Sequence, residues 1–260
     1  MSVYVITGKL GAGKTLASVG RMHDYLKGKR KVATNIDLDL YKMCGKDAKN
    51  PIVYRVSDKP TLQDFENIGL GYDGEYQSED KNGGLFLDEC GTWFNSRSWN
   101  DKGRQDVIDF IIHARKKRWD IYFLIQDLEV MDKQARLMFA EFVVYCRRSD
   151  RFNIPVVSMF WKLFTDKPLP MPKVHIGFVT YGDTANSAVV DRWIYRGTQF
   201  YNAYDTEQIF DDNNKGVYQY LPPYYTHGRY ITNAQEFKNA IEKFKVKGFH
   251  FFLTGAFMAS

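Results

Sequence analysis

A chain of 260 residues with 44% hydrophobic and 26% charged residues is long enough to bury a full core and too apolar to stay disordered. Its net charge of +5 and pI near 8.9 suit nucleic acid or an anionic membrane surface and demonstrate neither. Cys44, Cys90 and Cys146 are odd in number, with no CxxC and no zinc spacing. That argues against a disulfide framework and for reduced thiols in a cytosolic compartment. The chain opens with "MSVYVITG", straight into a strand, so no cleavable signal is expected.

"VYVIT" (3–7) reads as a buried strand. From Lys14 to Lys27, Leu16, Val19, Met22, Tyr25 and Leu26 recur at helical spacing. Strands are expected at 31–36 and 52–56, then a polar, glycine-rich loop over 71–84 leads into "LFLDE" (85–89). Residues 104–117 read as a helix with Val107, Ile108, Ile111 and Ile112 on one face. A strand at 120–125, a short helix at 132–140 and a strand at 141–146 follow. This βα alternation predicts an α/β fold with a mainly parallel central sheet flanked by helices. After Pro155 the character changes: Pro168, Pro170 and Pro172 lie close together and strand-like runs such as 173–181 alternate. The organisation expected is a core over 1–150, an elaboration packed on it over 151–235, and a juxtamembrane segment over 236–260. The late tyrosines, from Tyr195 to Tyr230, are expected to pack against that core in preference to stacking on bases.

The chemistry concentrates in "VYVITGKLGAGKT". Gly8, four residues, then Gly13-Lys14-Thr15 is the P-loop (Walker A) spacing, with a strand before it and a helix after it. Glycines let the main-chain amides of Gly8, Lys9, Leu10, Gly11, Ala12, Gly13, Lys14, Thr15 and Leu16 turn toward phosphate oxygens, and the helix adds its positive end. Lys14 is expected to neutralise the β and γ oxygens of ATP, and Thr15 to place a hydroxyl on magnesium. "GGLFLDE" supplies the strand-end acid, Asp88, to hold magnesium through water. Glu89 follows, where hydrolysing NTPases keep a glutamate that polarises the attacking water. Gln126 ends the strand expected between the other two and faces the γ-phosphate or that water. Motors of this type take an arginine from the next subunit. Arg104, Arg115, Arg136, Arg147 and Arg148 are all open, with Arg136 carried forward. The five histidines show no ligand spacing, and no serine or cysteine sits in a nucleophile motif.

"TGKLGAGKTLASVG", "ATNIDLDL", "LDECGTWFNSRSWNDKGRQ", "HARK", "WDIYFLIQDL", "DKQAR", "VVYCRRSDR", "YNAYDT" and "HGRY" together resemble the gene I proteins of filamentous bacteriophages. These are virion assembly and export ATPases of the zonula occludens toxin (Zot) family. The resemblance runs from residue 2 to about 230, and "LDECGTWFNSRSWND" is far longer than any generic acid-strand motif. It implies an inner-membrane ATPase whose residues 1 to about 245 lie in the host cytoplasm. Implied partners are further copies of the chain in a ring, other phage assembly proteins with the outer-membrane export channel, the phage single-stranded DNA–protein complex, and capsid proteins. It also implies kinship with ring-forming DNA-pumping ATPases, whose glutamate and polar strand tip match Glu89 and Gln126. Members continue through a transmembrane helix into a periplasmic segment, so contacts and activities of that distal part are not carried over.

Two other readings stand beside the motor: a nucleotide-gated structural protein of the membrane, and a cytosolic DNA translocase. "RKKR" (115–118) and "RRSDR" (147–151) permit DNA contact, although a solvated basic face is the commoner outcome. The stretch from Gly248 to Ser260 carries no formal charge. As a helix it reaches only about 20 Å against a hydrocarbon core of about 30 Å. With the resemblance it reads as the first half of a membrane span. Lys243, Lys245 and Lys247 before it place the preceding domain on the cytoplasmic side.

Overall fold

The computed structural model describes residues 1–92, 109, 111–131, 136–137, 140–151, 174–182, 187–210, 216–227 and 239. Within these residues one sheet runs through β1 (Val3–Thr7), β2 (Val32–Thr34), β3 (Val53–Arg55), β4 (Gly83–Leu87), β5 (Trp119–Leu124), β6 (Phe142–Arg148), β7 (Val174–Tyr181), β8 (Val189–Arg196) and β9 (Tyr218–Gln219). The spatial order is β8-β7-β6-β1-β5-β4-β2-β3-β9. From β6 to β3 every pairing is parallel, whereas β7, β8 and β9 join antiparallel at the two margins. The chain beyond residue 150 therefore supplies three strands of the same sheet. The α/β architecture with a mainly parallel central sheet expected from the alternation is present.

The central strands are buried on both faces, as a parallel core requires. Every residue of β4 and β5 is buried. Successive side chains point to opposite faces. Val5, Leu85, Leu87, Ile121 and Phe123 meet Phe65 and Ile68 of helix α2 (Leu62–Ile68) on one side. Ile6, Phe86, Tyr122 and Leu124 face Leu16, Val19, Met22 and Tyr25 of helix α1 (Lys14–Lys27) on the other. Tyr122 stacks between Tyr4 (4.7 Å) and Phe86 (4.2 Å). Below this stack the buried Asp120 accepts from Arg30 at 2.7 Å and from the Tyr25 hydroxyl at 2.8 Å. Its charge is thereby compensated.

Several boundaries differ from the sequence expectation. β4 begins at Gly83 and ends at Leu87, so Asp88 and Glu89 lie past the ladder. Gly83 joins the ladder opposite Trp119 because it lacks a side chain: a Cβ there would sit 2.5 Å from the indole ring. β2 stops at Thr34, since the Asn35 side chain turns to bond the main chain near Asp88. β6 runs on to Arg148, held in register opposite His175 of β7. Residues 109 and 111–116 are helical, as are 136 and 137, while the rest of the expected helices at 104–117 and 132–140 lies outside the described residues except for the turn at 117 and residue 140. Among the described residues no helix is long and apolar enough to cross a membrane. The expected span over 236–260 falls outside them, apart from the helical residue 239.

Candidate active site

The carboxyl ends of β1, β5 and β4 lie side by side, with β5 in the middle as the sequence required. From β1 the chain enters the loop Gly8–Gly13, closed by a bond from the Ala12 amide to the Lys9 carbonyl at 2.9 Å. Gly13 stands at φ 91, a left-handed conformation, and a Cβ there would fall 1.9 Å from Nδ1 of His175. Only glycine fits both demands. Helix α1 starts at once, with no side-chain cap and no acid in its first turn. Its first amides are therefore left uncapped by side chains and available to an anion.

Two of the side chains expected at the site lie on that first turn. Lys14 Nζ donates back to the Gly8 carbonyl at 2.8 Å, so the cation sits over the loop's concave side. Thr15 Oγ1 donates to Asp88 Oδ2 at 3.0 Å, closing a contact across 73 residues of sequence. Asp88 is fixed from behind by the wholly buried Asn35, whose Oδ1 accepts from the Asp88 amide at 2.8 Å. The Asn35 Nδ2 donates to the Asp88 and Asp58 carbonyls, each at 3.1 Å. Glu89 then adopts φ 56, left-handed and rare for a residue with a Cβ, and its amide donates to Asp88 Oδ1 at 2.8 Å. This bend leaves Glu89 exposed in the cleft. Gln126, at the end of β5, is also exposed there, and its main-chain carbonyl accepts from the Thr7 hydroxyl at 3.4 Å.

The cleft has a volume of about 680 Å³. It holds Lys14, Thr15, Asp88, Glu89 and Gln126 together, along with Leu10, Gly11 and Gly13 of the loop and Leu16 of α1. Burial pushes the Asp88 carboxyl above its ordinary range, while the Glu89 amide, the Thr15 hydroxyl and Lys14 pull it back. Glu89 is also raised, first by desolvation and then by the neighbouring Asp88 and Asp58 charges. A cleft with two carboxyls of raised proton affinity beside a hydroxyl favours an added cation. Among the described residues no three His, Cys, Asp or Glu side chains gather as a metal site. The donor set Thr15 plus Asp88 instead suits a magnesium ion that keeps waters and phosphate oxygens as its other ligands.

The far wall was not foreseen. Tyr204, Asp205, Thr206, Gln208 and Phe210, which follow β8, line the same cleft. They are stitched to the loop after β2 by the Asp39 amide to the Ala203 carbonyl (2.8 Å) and the Asp37 amide to Gln208 Oε1 (2.7 Å). No periodicity marks this stretch. The one legible hint was Asn35, a carboxamide ending the apolar run "VAT" at the level of the other strand tips. Behind the loop, Arg148 pairs with Asp150 and donates to the Gly11 carbonyl at 3.3 Å. His175 Nε2 lies 3.3 Å from the Tyr201 hydroxyl. Arg136 donates to the Leu128 carbonyl of its own chain at 2.8 Å. Arg115 and Arg147 are exposed, and Arg104 lies outside the described residues.

The family model for zonular occludens toxin (Zot) matches residues 2–180. The chain belongs to the Zot family. Gene 1 protein of Enterobacteria phage M13 is 54% identical over 234 residues, which cover 89% of this chain and 67% of that one. Gene 1 protein of Salmonella phage IKe is 54% identical over 235 residues, covering 88% and 63%. The chain thus spans about two thirds of the length of these relatives. Among solved structures, the N-terminal domain of zonular occludens toxin from Neisseria meningitidis is 18% identical with a TM-score of 0.44, over 78% of this chain and 98% of that one. The family resemblance drawn from "LDECGTWFNSRSWND" and its companions is confirmed by the first two comparisons.

Proposed function

We propose that the cleft at the carboxyl edge of the sheet is the ATP-hydrolysing centre of a virion assembly and export motor. The general function, that of a phage assembly and export ATPase, comes with the family and the 54% identity to gene 1 proteins over most of the chain. The observation that carries the assignment of the centre is the Thr15–Asp88 contact at 3.0 Å, which joins the helix-opening loop to the acid at the tip of β4.

In this reading the loop amides and the start of α1 hold the phosphates of ATP. Lys14 leaves the Gly8 carbonyl and turns to the β and γ oxygens. Thr15 and Asp88 hold magnesium, which when bound supplies neutralisation of the phosphate charge. Glu89, bent into the cleft with its proton affinity raised, orients the attacking water and takes its proton. Gln126 contacts the γ-phosphate or that water from the neighbouring strand tip. An arginine of an adjacent copy completes the charge stabilisation. Arg136 remains the candidate, and it must first release the Leu128 carbonyl to serve.

Around this centre we place a ring of copies in the host inner membrane. Residues 1 to about 245 face the cytoplasm, anchored through the segment 236–260. Its partners are other assembly proteins with the outer-membrane export channel, the single-stranded DNA–protein complex, and capsid proteins. The test is Lys14→Ala in the full-length protein: binding of a nonhydrolysable ATP analogue and phage release are both expected to disappear. Normal phage release from that variant would overturn the assignment.

A further inference from the structure

We propose that Asn35 is the positioning residue of the hydrolytic centre, and that Gln208 ties it to the chain after β8 so that the segment 203–210 reports the state of the cleft. The proposal rests on the reading of Glu89 as the residue that orients water. It concerns what holds Glu89 in place.

Asn35 is wholly buried, and each polar atom of its side chain is engaged with the main chain at the end of β4. One carboxamide grips Asp88 on both sides, accepting from its amide at 2.8 Å and donating to its carbonyl at 3.1 Å. The second donor contact, to the Asp58 carbonyl at 3.1 Å, anchors the grip to the chain after β3. A left-handed φ of 56 at a glutamate persists only where its surroundings over-determine it, and here the restraint is on the residue before it. An aspartate at position 35 would lose both donor contacts, and a serine would be too short to reach both groups of Asp88. The Asn35 side chain is committed to main-chain groups of Asp88 and Asp58. It acts through Asp88 and Glu89.

The same residue is held from the opposite side. Gln208 Nε2 donates to the Asn35 carbonyl at 2.8 Å, while Gln208 Oε1 accepts from the Asp37 amide at 2.7 Å. Continuous hydrogen bonding thus runs from Thr15 through Asp88 and Asn35 to Gln208. Gln208, Asp205 and Thr206 also line the cleft. A shift of Asp88 on engaging a cation is therefore transmitted directly to a stretch that leads on to β9, at the far margin of the sheet.

The experiment uses the full-length protein in membranes, with Asn35→Ser, Gln208→Glu and Glu89→Gln measured side by side. Asn35→Ser is expected to lower turnover about 100-fold while affinity for a nonhydrolysable ATP analogue stays nearly unchanged, the split expected of lost positioning. Gln208→Glu keeps the acceptor for Asp37 and loses the donor to Asn35. Its turnover should fall by about tenfold. In the wild type, amide hydrogen exchange over 203–208 should slow when the analogue binds, and in Gln208→Glu, which keeps the Asp39–Ala203 bond and loses the one to Asn35, that slowing should be at most about half as large. Wild-type turnover in Asn35→Ser would overturn the positioning role, and an undiminished slowing over 203–208 in Gln208→Glu would overturn the coupling. If Asn35→Ser does not fold, turnover and exchange in Gln208→Glu decide both points. Full turnover in Glu89→Gln would instead bring down the underlying reading of the site.

Discussion

At Asp88 two demands conflict. The carboxyl is half-buried, which raises its proton affinity, yet the role proposed for it at a cation requires it ionised. Because the folded value lies above the ordinary one, the folded chain holds this proton more tightly than the unfolded chain does. The resulting stability is complete at low pH. It is lost as pH rises from the ordinary carboxylate range through the raised folded value. Asp88→Asn keeps the shape and removes the charge, so the nucleotide-free variant should melt higher than the wild type at neutral pH. The gap should be larger at about pH 8 than at about pH 5. The same variant should fail to hydrolyse ATP. Thermal melts that separate by the same amount at both pH values would contradict the burial argument. At Gly13 the constraint is steric: Gly13→Ala forces a Cβ into the His175 ring at a left-handed φ. It should cost roughly 1–3 kcal/mol of stability and weaken ATP-analogue binding, read by denaturant melts and a binding titration.

Among the elements, α1 and β8 mark the two extremes of what sequence alone could reveal. The bounds of α1, Lys14 to Lys27, follow from apolar positions at helical spacing, because one face of it is buried against the sheet along its whole length. β8, "VVDRWIYR", has no such pattern. Its first four residues are exposed, and Trp193 is its single fully buried side chain. What makes it a strand is its partner β7, and pairing partners are not written in a strand's own residues. α2 was overlooked although it carries a signal: Thr61 and Asp64 form a capping box at its start. Trp193 fastens β8 to the core, near Tyr4 (5.7 Å) and under the Arg21 guanidinium (5.1 Å). Trp193→Ala should therefore cost about 3–5 kcal/mol, seen as a lower denaturant midpoint. A loss below about 1 kcal/mol would mean that β7 alone holds this margin.

Over the whole molecule, legibility divides by sequence distance. Lys14 and Thr15 were readable because a phosphate-binding loop places its groups within a few residues of one another. Asp88, Glu89 and Gln126 were readable because each closes an apolar run, and a parallel sheet gathers such ends on one edge. Gln208 was not, since its contact with Asn35 joins residues 173 apart and has no local signature. Among the described residues the proposed hydrolytic cleft is walled on one side by the loop and acids and on the other by Tyr204, Asp205, Thr206, Gln208 and Phe210. Its central claim is that ATP turnover, not ATP binding alone, drives phage release. The most direct measurement compares Glu89→Gln with wild type in the full-length, membrane-assembled protein, following ATP-analogue binding, phosphate release and phage output in the same preparations. The account predicts retained binding with phosphate release and phage output both lost. Undiminished phage output from a variant that binds ATP but does not cleave it would contradict it.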